Sequence, residues 1–141
     1  MARDLIVGYD GSPCARAALD AAIDLARLYG ERLVIAFADL PPDRLRGEEW
    51  KVHRQAIREM GEEVTAEALA RTREAGVEAD VEFVLERPAE ALLDLAAMRD
   101  ARMIVVGTYG EGPIKGAIIG SVPFKLLHRS PIPVLVVPAS G

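Results

Sequence analysis

Short unbroken apolar runs alternate with longer amphipathic stretches along the chain. Leu5-Ile6-Val7 reads as a short buried strand, ended by the turn Gly8 to Ser12. From Pro13 to Tyr29, apolar residues recur at Ala17, Ala18, Ala21, Ala22, Leu25, Ala26 and Leu28. That spacing of three and four predicts a helix, which Gly30 stops. Leu33 to Ala38 is apolar without a break, the pattern of a strand covered on both faces of a parallel sheet. Asp39 to Glu48 holds Pro41, Pro42 and Gly47 and is predicted to be a loop. Glu49 to Ala75 is long and charged, with a helical stripe at Ile57, Met60, Val64 and Ala68 and a stop at Gly76.

The second half repeats the alternation. Val77, Ala79, Val81, Phe83 and Leu85 alternate with polar residues, as in a half-buried strand at a sheet edge. Arg87-Pro88 opens a helix whose inward positions are predicted to be Ala91, Leu92, Leu95, Ala96 and Met98. Met103 to Val106 is a fourth strand, followed by a glycine-rich loop from Gly107 to Gly120. A short helix carries Phe124, Leu126 and Leu127, and Val134 to Val137 is a fifth strand between prolines. Strand and helix alternating four times predict parallel strands joined by right-handed crossovers, a three-layer α/β sandwich. No repeat or internal boundary interrupts the pattern, so one domain is expected over residues 1–141.

Composition narrows the partners. The 141 residues are 50% hydrophobic and 28% charged, which suits a globule and argues against extended disorder. A net charge of −5 makes a general nucleic-acid or membrane-surface binder a poor expectation. The single cysteine, Cys14, cannot form an internal disulfide and agrees with a reducing compartment. No signal-peptide core opens the chain, and no apolar run approaches the ~20 residues a membrane span needs. A soluble cytoplasmic protein is expected.

Ligands of open parallel sheets bind beyond the carboxyl ends of the strands, where the strand order reverses. Two loops qualify: Gly8-Tyr9-Asp10-Gly11-Ser12 and Gly107-Thr108-Tyr109-Gly110, the latter running on to Gly120-Ser121 at the mouth of a helix. Glycines there let backbone amides approach a phosphate, and a helix N-terminus adds partial positive charge. The same glycines also serve tight turns, and an aspartate such as Asp10 also caps turns.

The spacing Gly107-x₂-Gly110-x₉-Gly120-Ser121 resembles the nucleotide-binding signature of the universal stress protein family. Leu5 to Ser12 is similar to that family's opening strand and D-x-S turn, and Pro88-Ala89-Glu90-Ala91-Leu92 to its third helix start. Ile104 to Gly107 and Pro133 to Val137 resemble its last two strands, so the resemblance spans the chain. It implies strand order 3-2-1-4-5 and a site for ATP or another adenine nucleotide, with Mg²⁺ held through the phosphates. By resemblance, Asp10 meets the ribose or adenine side, Gly8 and Tyr9 approach the base, and Ala38 lines the adenine pocket. Val106 and Gly107 meet base and ribose, and Gly110, Gly120, Ser121 and Val122 surround the phosphates. The resemblance also implies a regulatory role in stress response and a homodimer pairing through Val134–Val137.

Two positions depart from the family. Pro123 stands where nucleotide-binding members carry Ser or Thr, and it supplies neither N–H nor hydroxyl. The residue before a proline disfavours helical dihedrals, so the short helix is expected to begin at Pro123. Tyr109 stands where Arg or His is common in the family. A nucleotide-free dimer acting through protein contacts is therefore the alternative. No P-loop motif, metal-ligand spacing or nucleophile–base pair is present, so no catalytic or metal-ligating residue is expected, slow ATP hydrolysis aside.

Overall fold

A computed structural model describes residues 3–109 and 119–139. Its core is one five-stranded sheet. The strands are β1 (Asp4–Gly8), β2 (Arg32–Asp39), β3 (Ala79–Leu85), β4 (Met103–Gly107) and β5 (Val134–Val137), in spatial order β3-β2-β1-β4-β5. Every neighbouring pair is parallel, so the expected order 3-2-1-4-5 and three-layer sandwich are both observed. The order reverses between β1 and β4, where Val7 pairs with Val105.

Helices α1 (Pro13–Tyr29) and α2 (Gly47–Glu74) cover one face, and α3 (Pro88–Met98) and α4 (Ser121–Arg129) cover the other. Successive strand side chains point to opposite faces, which divides the core in two. Leu5, Val7, Leu33, Ile35 and Val105 meet Leu19, Ala22 and Ile23 of α1. Ile6, Val34, Ile104 and Val106 meet Leu92 and Leu95 of α3 and Leu126 of α4. The unbroken apolar run in β2 thus has its predicted cause, since Leu33 to Phe37 are all buried.

Alanine carries the packing of α1. Cys14, Ala15, Ala18, Ala22 and Ala26 are buried, and these small side chains let the helix lie close to the sheet. Ser12 caps α1, its Oγ accepting the Ala15 N–H at 3.2 Å, and Pro13 follows at the first helical position. Gly30, at φ 67°, closes the helix in the left-handed conformation. The opposite end of the sheet is closed by charge. Asp4 pairs with Arg32 at 3.3 Å and Arg99 at 3.2 Å, and the fully buried Glu31 carboxylate pairs with Arg102.

Some boundaries differ from the sequence pattern. Met98 is 81% exposed rather than inward, because α3 ends there and its last turn overhangs the core. Leu28 is likewise exposed in the last turn of α1. The loop after β2 gives way to α2 at Gly47, two residues earlier than expected, and β3 begins at Ala79 rather than Val77. Val77 is buried instead in the turn after α2, its N–H donating to Thr72 O at 2.9 Å. α4 begins at Ser121, not Pro123. Pro123 is the third helical residue, where an N–H has no intrahelical acceptor anyway. The carbonyl four residues before it lies outside the helix, so the ring has no helical carbonyl to strike.

Candidate functional site

The carboxyl ends of β1, β2 and β4 open onto a cleft of about 270 Å³. β1 and β4 lie side by side at the reversal of strand order, so the loops that leave them diverge and open a gap. Gly8, Tyr9 and Asp10 enter from the first loop, Val106 and Gly107 from the end of β4, Ala38 from β2 and Val122 from α4. Seven predicted site residues therefore share one cleft. Gly120 and Ser121 stand just beyond its lining, as the N-cap and first residue of α4. Gly110 and the glycine-rich stretch after it lie outside the described residues.

Close packing fixes this end of the molecule. A Cβ at Gly107 would lie 2.5 Å from Cys14 Cβ and 2.7 Å from Cys14 C, so only glycine lets β4 end against the first turn of α1. Gly11, at φ 82°, takes a left-handed turn with Val64 of α2 just 3.0 Å from where its Cβ would be. Asp10 Oδ1 accepts the Ser12 N–H at 2.9 Å, an Asx turn leading into the α1 cap. The capping reading of Asp10 is thus realised, while the residue also lines the cleft.

The walls are mainly apolar: Ala36, Phe37 and Ala38 from β2, Leu92 from α3, and Val106. The charged side chains that line it are two carboxylates, Asp10 and Asp39, and no Lys or Arg joins them among the described residues. Asp39 Oδ1 accepts the Leu40 N–H at 2.8 Å. Favourable potential for an anion comes instead from the start of α4. There Gly120 donates its N–H to Thr108 O at 2.7 Å, and Phe124 N–H closes the first turn on Gly120 O at 3.2 Å. The Ser121 and Val122 amides have no intrahelical acceptor, and no side chain caps them among the described residues. Pro123, buried, contributes a ring to the cleft and no donor.

Tyr9 is 3% exposed, and its phenol oxygen has no hydrogen-bond partner among the described residues. Burial raises its pKa, and the Glu67 carboxylate adds to the rise. Arg16 and Arg71 oppose it, Arg16 standing near the phenol without hydrogen-bond geometry. Among the described residues, no group of three His, Cys, Asp or Glu side chains has metal-binding geometry. Cys14 is buried under the cleft floor, as a packing residue. No helix among the described residues is long and apolar enough to cross a membrane.

Sequence reasoning missed Asp39, Met60 and Pro88 as lining residues, whereas it had already marked Pro123 as a departure beside the phosphates. Asp39 had a local signal, as the residue after Ala38 at the end of β2. Met60 had none, since it reaches the cleft only because α2 crosses the sheet there.

The sequence model of the universal stress protein family matches residues 1–138. A universal stress protein of Thermus aquaticus is 36% identical over 139 residues, covering 97% of this chain and 99% of its own. A universal stress protein of Mycobacterium tuberculosis is 33% identical over 136 residues, but the chain spans only 44% of its length. A crystal structure of a universal stress protein in complex with cAMP is 30% identical, covers 98% of both chains and superposes with a TM-score of 0.77. A family match over nearly every residue, a full-length relative above one-third identity and the strand order agree: this chain belongs to the universal stress protein family.

Proposed function

We propose that the cleft binds an adenine nucleotide and that the protein acts as a nucleotide-responsive regulatory module in stress response. One observation carries this reading: the loops after β1 and β4 meet in a single cleft with an apolar wall on one side and, at its rim, α4 amides that no side chain caps among the described residues. A flat base suits the wall of Ala36, Ala38 and Val106, and an anionic group suits helix amides in a cleft that no Lys or Arg lines among the described residues. In this reading Ala38 receives adenine, Gly8 and Tyr9 border it, and Asp10 accepts hydrogen bonds from ribose hydroxyls or the base. Val106 and Gly107 meet base and ribose, and Gly110, Gly120, Ser121 and Val122 hold the phosphates. Similarity to the cAMP-bound relative, 30% identical, supports an adenine ligand.

ATP is one such ligand, with Mg²⁺ carried on its phosphates. Hydrolysis is at most slow in this reading, since among the described residues the carboxylates lining the cleft are Asp10 and Asp39, each with one oxygen held by a backbone amide. β5 ends the sheet, its valines half-buried, and Phe124 and Leu127 of α4 are exposed beside it. This edge supports a homodimer pairing through Val134–Val137, which in this reading works in the cytoplasm. A second reading rests on Pro123: a cradle short of one donor suits a dimer that works through protein contacts without nucleotide. Equilibrium dialysis with labelled ATP, ADP, AMP and cAMP separates the two. Saturable binding of one at or below millimolar concentration supports the first reading; no binding of any overturns it.

A further inference from the structure

A second cavity, of about 350 Å³, lies between the amino-terminal half of α2 and the carboxyl ends of β2 and β3. It shares Phe37 and Asp39 with the first cleft and is otherwise separate. Its origin is a single close contact. Gly61 seats α2 on the edge-to-face pair Phe37–Phe83, whose centroids are 6.3 Å apart; a Cβ there would lie 2.7 Å from the Phe37 ring. Before Gly61 the helix overhangs the sheet, and Ile57 is its one buried residue between positions 47 and 60. The gap beneath that overhang is the cavity.

Its floor is apolar, made by Phe37, Ile57, Phe83 and Leu85. Two guanidiniums border it. Arg58 is committed, lying 4.1 Å over the Phe83 ring and bonding Glu62 at 3.0 Å. Arg54 is not: it stands 5.7 Å over the Trp50 ring and joins no ion pair among the described residues. Gln55 adds an amide at the border, donating to Glu59 at 3.2 Å. Asp39, the bordering carboxylate, has one oxygen held by the Leu40 amide.

We propose that this cavity binds a small amphipathic anion, an aryl or branched-alkyl carboxylate. Its carboxylate meets Arg54, and its apolar body lies on Phe37, Ile57 and Phe83. A cation without a carboxylate partner beside an apolar floor is the complement of such a ligand, and a planar guanidinium can hold a carboxylate through two hydrogen bonds. The site goes beyond the nucleotide reading and does not depend on it.

The test is an amide NMR titration of the whole ¹⁵N-labelled chain with 3-phenylpropionate. Saturable shifts confined to residues 37–39, 54–58 and 83–85 are expected, in the millimolar range suited to a ligand of roughly a dozen heavy atoms. Arg54→Gln, at an exposed position that leaves the rest of the spectrum in place, weakens binding about tenfold, the scale of one charge-assisted bond. The uncharged 3-phenylpropionamide binds more weakly than the acid and equally well to both proteins. The proposal is overturned by an absence of saturable shifts, by shifts centred on residues 8–10 and 106–107, or by an unchanged affinity in Arg54→Gln.

Discussion

Replacing Gly107 by Ala tests whether the site's geometry is held by contact between β4 and α1. The added methyl would begin 2.5 Å from Cys14 Cβ, 2.7 Å from Cys14 C and 2.8 Å from Cys14 O. Two of the three atoms are backbone, so no rotamer change relieves the clash; the first turn of α1 must retreat. Overpacking of this kind costs about 1–3 kcal/mol, and a backbone clash belongs at the upper end. Loss of glycine's freedom in the unfolded chain returns about 0.5–1 kcal/mol. The net expectation is destabilisation by about 2 kcal/mol, a fall in Tm of roughly 8 °C for a domain of this size. Gly8→Ala is the contrast. Its Cβ would meet only side-chain atoms, Leu92 Cδ1 at 3.1 Å and Val106 Cγ1 at 3.2 Å, which can shift. It should cost about 1 kcal/mol or less. Urea unfolding measures both, through the midpoint at constant slope. Adding Cys14→Ala to Gly107→Ala leaves all three contact atoms in place and should rescue nothing. A Gly107→Ala protein within about 0.5 kcal/mol of the parent, or one rescued by Cys14→Ala, would refute the backbone contact as the constraint.

Three further outcomes are expected. Tyr9→Phe removes a buried hydroxyl without a hydrogen-bond partner, so stability at pH 7 should hold or rise by up to about 1 kcal/mol. Because burial raises the Tyr9 pKa above its unfolded value, the fold favours the neutral phenol over the phenolate: stability is unaffected by titration of this group below pH 10 and falls as pH climbs towards the folded pKa; Tyr9→Phe should flatten this part of the alkaline decline in thermal melts, and an unchanged profile counts against it. Pro123→Ser restores a donor and a hydroxyl in the first turn of α4, so calorimetry should show ATP bound roughly tenfold tighter with AMP little changed; equal gains for both contradict the phosphate argument. Val136→Lys puts a charge on half-buried β5 and should shift sedimentation toward monomer, an unchanged profile ruling out that edge as the interface.

The parts of this molecule that were legible in its sequence are those fixed by burial. β2 declared itself because Leu33 to Phe37 are covered on both faces, and α1 because its buried alanines repeat at helical spacing. The glycines at 8 and 107 marked strand ends, and the strand order then brought them together. What failed depends on contacts distant in sequence or on position within a helix. Met98 looks inward by spacing, yet α3 outruns the core it covers. Pro123 looks like a helix start by local sterics, yet the first turn has no acceptor for the N–H it lacks. Met60 reaches the cleft because the middle of α2 crosses the sheet there, and Pro88 because α3 starts beside it on the opposite face, a proximity no local motif encodes.

The central claim is that amides and apolar walls from two neighbouring strand ends form one nucleotide-sized hollow. Diffraction from crystals grown with saturating AMP tests it most directly. The account predicts the base against Ala38, the ribose between Asp10 and Gly107, and the phosphate at the Ser121 and Val122 amides. A nucleotide seated elsewhere, or a cleft left empty at saturation, contradicts it.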